Sequence, residues 1–298
     1  MACRDDIANE ISPDSIRRKH LAALAEETGR DTILFASAFS IPDKLLPSEA
    51  VSITLHDIQG LMAALHTMKG KSLDLILHSP GGQSEAAAQI VSYLRHKYEN
   101  IRAIVPQNAM SAATMIACAC ESIVMAKHSA IGPIDPQLII PMEGEGFVAP
   151  AYAVLDEIKT AKEEIASNPK MVKYWALRVS GFPFGLEKIC NDAIAHSKAL
   201  VSEWLKTWML KTNPARDQLS KSIADWLSDA SAHMSHGQPI DSVSARAKGM
   251  VIEDLEANQK FQDLVLAVFH ATMLTFEMCN CAKIIENHEG RGIITRYK

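Results

Sequence analysis

The sequence predicts an α/β fold built on a parallel sheet, and three observations lead there. Residues 73–78, 101–106 and 123–126 are short apolar runs of strand length. Between them lie segments with helical character, 83–94 and 112–119. Each first handover from strand to helix is sharp, on Ser79-Pro80-Gly81-Gly82 and on Gln107-Asn108-Ala109-Met110-Ser111. Strand, glycine turn, helix, strand, serine turn, helix, strand is βαβαβ, which means parallel strands joined by crossover helices. In open α/β sheets, such strand ends are where sites are built.

In chain order, residues 5–28 form a polar, amphipathic helix with Leu21, Leu24 and Ala25 at helical spacing. Thr32-Ile33-Leu34-Phe35-Ala36 is the first strand and is expected at the sheet edge. Pro42-Asp43 opens a loop, and Thr54 to Ile58 leads into a helix reaching about Met68. After the βαβαβ unit, Ile131-Gly132-Pro133-Ile134-Asp135-Pro136-Gln137 runs on to Leu138-Ile139-Ile140-Pro141 and an acidic, glycine-rich loop at 143–146. Pro150 starts a helix that Ser167-Asn168-Pro169 stops. Residues 170–232 read as helical and hold all four tryptophans, Trp175, Trp204, Trp208 and Trp226, whose spacing suits a core or an interface. A loop at 233–237, a short helix at 242–248 and a long helix from about 255 to 285 follow. The tail from Gly290 is expected to be mobile or to touch another subunit. This gives an N-terminal helix at 1–30, an α/β core at 31–167 and a helical C-terminal region at 168–298.

Composition narrows the class. The chain has 298 residues, 22% of them charged and 48% hydrophobic, with a net charge of −5, which argues against nucleic acid as a partner. Residues 1–13 carry acidic side chains where a secretory signal would be apolar. The most apolar late run, 264–276, is too short to span a bilayer. The six cysteines show no disulfide rhythm, and Cys118-x-Cys120 puts two thiols on different helix faces, so neither metal nor cofactor is expected. Lys69-Gly70-Lys71-Ser72 lacks the first glycine of a Walker loop, Leu65 standing in its place. A cytoplasmic protein with reduced thiols and no membrane span is the expectation.

The two turns carry the chemistry. Gly81-Gly82 lets backbone N–H groups point into open space, and Ser111 stands where a helix begins. A hydroxyl nucleophile beside backbone donors suits acyl transfer, because those donors stabilise the oxyanion of the tetrahedral intermediate. A bare N-cap and a bare tight turn are the plain alternative. Taken together, the SPGG turn and Ala109-Met110-Ser111-Ala112-Ala113, with 29 positions from Gly82 to Ser111, resemble the Clp protease proteolytic subunit. The sequence more closely resembles the serine dehydrogenase proteinase family, a ClpP-like group related to signal peptide peptidase A. Its His-Ser/Thr-Pro-Gly-Gly turn, Ser-Ala-(Ala/Gly)-Thr helix start and Gly-Pro-Ile/Val-Asp-Pro-Gln stretch match residues 78–82, 111–114 and 132–137, and 236–240 are similar too.

That resemblance implies a ClpP/crotonase-type fold, a serine endopeptidase with a peptide or protein substrate, no cofactor, and a homo-oligomer. Ser111 would be the nucleophile, the N–H groups of Gly82 and Ala112 the oxyanion donors, and Gly81, Gly82 and Gln83 the strip beside which substrate lies extended. The base stays open. The histidine of the Clp protease falls here on Ile134 or Asp135, and His128 reads as a surface residue. Signal peptide peptidases use a Ser-Lys dyad instead, which points to Lys162 first and Lys159 second, 51 and 48 positions after Ser111 on one helix face. His78, beside the glycine turn, and His236 are further candidates. A catalytically silent ClpP-like scaffold and a crotonase-type acyl-CoA enzyme are the alternatives from other classes.

Overall fold

The computed structural model describes residues 12–42, 44–141 and 146–297. The first part of the N-terminal helix expected from residue 5, the loop residue Asp43 and most of the acidic loop at 143–146 lie outside the described residues. In chain order, the elements are α1 (Pro13–Thr28), β1 (Asp31–Ser37), α2 (Asp57–Leu65), β2 (Ser72–His78), α3 (Ser84–Lys97), β3 (Asn100–Val105), β4 (Asn108–Ala109), α4 (Ala112–Cys118), β5 (Ser122–Met125) and β6 (Ala130–Ile131). They continue with β7 (Gln137–Pro141), β8 (Gly146–Pro150), α5 (Ala151–Ser167), α6 (Val172–Val179), α7 (Leu186–Trp204), α8 (Arg216–Leu227), β9 (Ile252–Asp254), α9 (Gln259–Met278), β10 (Cys281–Asn287) and β11 (Gly292–Arg296).

Seven strands form the central sheet in the order β11-β10-β1-β2-β3-β5-β9. The five from β1 to β9 are parallel, and β10 runs antiparallel to both its neighbours, β1 and β11. Side chains alternate between the two faces, as strand geometry requires. Leu73, Leu75 and Leu77 of β2 join a core with α2, α3, α4 and α8. Ile76 of β2 and Leu34 of β1 join a second core with α1 and α9. The result is a three-layer α/β/α sandwich with a mixed sheet. Cys118 and Cys120 are fully enclosed in the first core, where burial raises both thiol pKa values.

Three expectations are corrected at the C-terminal end. The helix assigned to 255–285 stops at Met278, and residues 281–287 are a strand. Every residue of β10 is buried, so its apolar run continues that of α9 with no change of period to mark the boundary. The tail is the next strand of a hairpin with β10, not a loose arm. Because this hairpin lies alongside β1, that strand is interior to the sheet and not at its edge. The region after 168 therefore is not only helical: β9, β10 and β11 complete the central sheet.

Away from the sheet, β7 and β8 form a hairpin that leads into α5. Its small core joins Ile140 and Val154 to Leu186, Cys190 and Ile194 of α7. Ile139, Phe147, Val148, Leu177 and Phe184 remain exposed on this arm. Among the described residues, no helix is long and apolar enough to cross a membrane.

Candidate active site

A second, minor line of paired backbone crosses the C-terminal ends of β2 and β3. Ile53 bridges Gly82, Ser79 bridges Ala109, Ala109 pairs with Ile131, and Ile131 bridges Ile240. This line brings five distant stretches to one place. Thr114 locks it to α4, its Oγ1 donating to Ala109 O and accepting from Gly132 N–H.

Ser111 sits at the head of α4 with φ 50° and ψ −118°. Such a backbone is costly for a residue with a Cβ, on the order of 1–3 kcal/mol. The side chain makes no capping bond to its own helix, and among the described residues Oγ has no hydrogen-bond partner. The plain N-cap alternative is therefore not what Ser111 does. Gly81, at φ 97°, explains how the turn approaches so closely: a Cβ there would stand 2.6 Å from Ser111 Cβ and from Met110 O. Glycine is required at that point.

The adjoining donors sort themselves by backbone pairing. Gly81 N–H donates to Ser79 Oγ at 3.2 Å. Ile53 N–H donates to Gly81 O at 2.6 Å, and Gln83 N–H donates to Ile53 O at 2.9 Å. Strand alternation then turns the N–H of exposed Gly82 away from Ile53. Gln83 differs from expectation, since its N–H is spent on Ile53 and is not free to pair with an extended substrate. Ala112 lies buried beneath Gly81 as the first residue of α4, where an N–H has no intrahelical acceptor.

The base candidates separate clearly. Lys162, on α5, is 64% exposed and donates to Glu187 Oε1 at 2.8 Å. Lys159 is 69% exposed and faces Glu163 at 3.8 Å. Both side chains are solvated and paired with carboxylates. Lys162 also lines a groove of about 740 Å³ between α5 and α7, a groove that Ser111 does not border. His78 is fully buried on the far face of β2, its ring between Phe39 and Phe269 at 4.7 and 5.0 Å and its Nε2 on Ser40 Oγ at 2.9 Å. Burial depresses its pKa to about 3. Enclosed there, it lines no cleft. His128 is exposed, with Nε2 on Pro106 O at 3.0 Å.

His236 is placed differently. Its Nδ1 lies 2.8 Å from Oδ1 of Asp135, a carboxylate 2% exposed whose Oδ2 accepts from Gln137 Nε2 at 2.9 Å. A carboxylate only accepts, so Nδ1–H is the donor in this pair. His236 itself is 27% exposed. The Ile131–Ile240 bridge holds its loop two strand spacings, about 10 Å, from Ala109. The sequence put either Ile134 or Asp135 in the position of the Clp protease histidine and gave His236 as a separate candidate. Their pairing across 101 residues left no signal in spacing.

Residues 51–167 match the family described as ClpP-like SDH-type serine proteinase, so the βαβαβ unit and both turns carry that family's pattern. Two uncharacterized proteins of Methanocaldococcus jannaschii, MJ0137 and MJ1495, are 42% and 37% identical over 87 residues. Each match covers 29% of this chain and 30% of the relative, so the chain spans under a third of the length of these relatives. Among solved structures, a mutant of the 1510-N membrane-bound stomatin-specific protease is 19% identical over 68% of this chain and 75% of its own, with a TM-score of 0.38. Another mutant of it, in complex with a substrate peptide, is 17% identical over 73% and 94%, with a TM-score of 0.31. At these scores, the two likenesses bear no weight on fold or function.

Proposed function

We propose, from the premise that residues 51–167 are a ClpP-like SDH-type serine proteinase segment, that this protein is a serine endopeptidase with Ser111 as its nucleophile. The observation that carries the reading is the backbone of Ser111: φ 50°, pressed against Gly81, with its hydroxyl uncommitted. Strain of this kind is retained where the residue has work to do.

His236 is the base in this reading, and Asp135 is the positioning residue that holds its tautomer. Nε2 takes the proton from Ser111 Oγ as Oγ bonds to the peptide carbonyl carbon. The carbonyl electron pair moves to oxygen, and the N–H groups of Gly82 and Ala112 receive that oxyanion. When the intermediate collapses, the C–N bond breaks and His236 returns the proton to the departing amine. Water then hydrolyses the acyl-enzyme by the same steps. In this scheme, the histidine replaces the Ser-Lys dyad, because Lys162 and Lys159 lie exposed on α5, paired with Glu187 and Glu163. Catalytic hydrogen bonds in a free enzyme are commonly long and tighten when substrate binds.

Hydrolysis consumes no nucleotide, in keeping with the absent Walker pattern. A homo-oligomer is supported by the exposed apolar residues of the arm, and a reducing, cytoplasmic setting by the five free cysteines among the described residues. A fluorophosphonate probe tests the chemistry. It should label the protein at Ser111, and Ser111→Ala should lose both the label and about 10⁶ in kcat on casein. A folded protein that takes no label favours the silent scaffold, which the unpartnered Ser111 Oγ also fits.

A further inference from the structure

We infer that Lys283, on the C-terminal hairpin, is a positioning residue for the oxyanion turn, acting through Asp57 and Ile53. Lys283 and Asp57 are 3% and 2% exposed. The Lys283 ammonium donates to Asp57 Oδ1 at 2.7 Å, to Asp57 Oδ2 at 2.9 Å and to Ser52 O at 2.6 Å, which occupies all three of its protons. Asp57 Oδ2 in turn accepts from Thr54 N–H at 2.8 Å. The backbone of 52–54 is thus gripped on one side at the carbonyl of Ser52 and the amide of Thr54.

Strand alternation turns both polar groups of the residue between them to the opposite side. There, Ile53 N–H holds Gly81 O and Ile53 O holds Gln83 N–H. No slack remains in this contact: a Cβ on Gly82 would stand 2.3 Å from Ile53 O. The direction of the Gly82 N–H is therefore fixed by Ile53, and Ile53 is fixed by Lys283 and Asp57. Stability alone does not call for this ion pair. Buried pairs are often replaced by apolar side chains without loss, because desolvation offsets their attraction. A backbone carbonyl held at one point is something that an apolar pair does not provide.

The inference rests on the reading of Gly82 as an oxyanion donor, and the test separates the two. Amide exchange at Ile53 and Gln83 and the rate of fluorophosphonate labelling at Ser111 are measured in the full chain. The variants are Lys283→Met and the double variant Asp57→Asn with Lys283→Met, which leaves no unpaired buried charge if the single variant folds poorly. In the folded variant, exchange at Ile53 and Gln83 should quicken at least about tenfold, with Ile76 and Ile104 unchanged. Labelling should fall about 10²-fold, the cost of one misdirected oxyanion donor. Wild-type exchange at Gln83 overturns the inference, as does faster exchange with wild-type labelling. If the wild-type protein takes no label, the peptidase reading fails, and exchange alone decides whether Lys283 holds the turn.

Discussion

The central strands β2, β3 and β5 and the arm made by the β7–β8 hairpin with α5, α6 and α7 are both rich in apolar residues, yet they use them in opposite ways. The strands have both faces covered, by α2, α3 and α4 on one side and by α1 and α9 on the other. The arm buries a small cluster around Ile140, Val154 and Leu186 and leaves Phe147, Leu177 and Phe184 in solvent. Two-sided packing holds side chains in one arrangement, and the strained Ser111 stands on that part. One-sided packing leaves apolar area of the kind that assemblies cover. In the proposed reading, chemistry belongs to the sheet ends and association to the arm, and the lysine candidates Lys162 and Lys159 stand on the arm.

The sharpest way to break that division is to compare Asp135→Asn with Lys162→Met and Lys159→Met. Asp135→Asn should cost about 10⁴ in kcat, because an amide no longer fixes the productive tautomer of His236. Both lysine variants, on the arm, should keep wild-type kcat. A dead Lys162→Met with an unchanged size-exclusion profile would return the base to the arm. Next in size is Gly82→Ala, whose Cβ meets Ile53 O and N at 2.3 and 2.5 Å. It should lower kcat by about 10²–10³; a change in KM alone would mean that Gly82 shapes binding and not the oxyanion.

A third test reads the core by pH. Burial holds the folded pKa of His78 at about 3, against about 6.5 for an unperturbed histidine. Below about pH 6.5 the unfolded chain takes up a proton that the folded chain refuses. Stability is therefore complete above that pH and falls as the pH drops toward about 3, by up to about 1.4 kcal/mol per pH unit. Urea midpoints across this window should flatten in His78→Gln, and an unchanged acid limb would show that other groups dominate it. The smallest effect is expected on the arm. Leu177→Asp should change unfolding stability by no more than about 0.5 kcal/mol while lowering the mass seen by light scattering. An unaltered mass would remove that helix from any interface.

The legibility of the sequence follows the same division. The βαβαβ unit was readable because each strand is short and each turn carries glycine or a helix start, so local signals coincide with the fold. The arm helices were readable too, since Pro150 and Asn168 bracket α5 with ordinary stop signals. What failed was long-range. The β10 strand looked like more helix because both of its faces are buried. Its placement beside β1 depends on a partner some 250 residues away. The Asp135–His236 pair was hidden for the same reason. Both residues were noticed, but nothing local says that one orients the other. Lys283, a single lysine in an apolar run, gave no sign that it would meet Asp57.

The backbone of Ser111 has a consequence for how the sequence can drift. Glycine adopts a positive φ without the penalty that serine meets there. Ser111→Gly would relieve that strain and, in the proposed reading, yield a sturdier but inert protein. Were folding the sole constraint, mutation would carry this position toward glycine. A serine there stands at an energetic disadvantage, which the proposed role of its hydroxyl as nucleophile would account for.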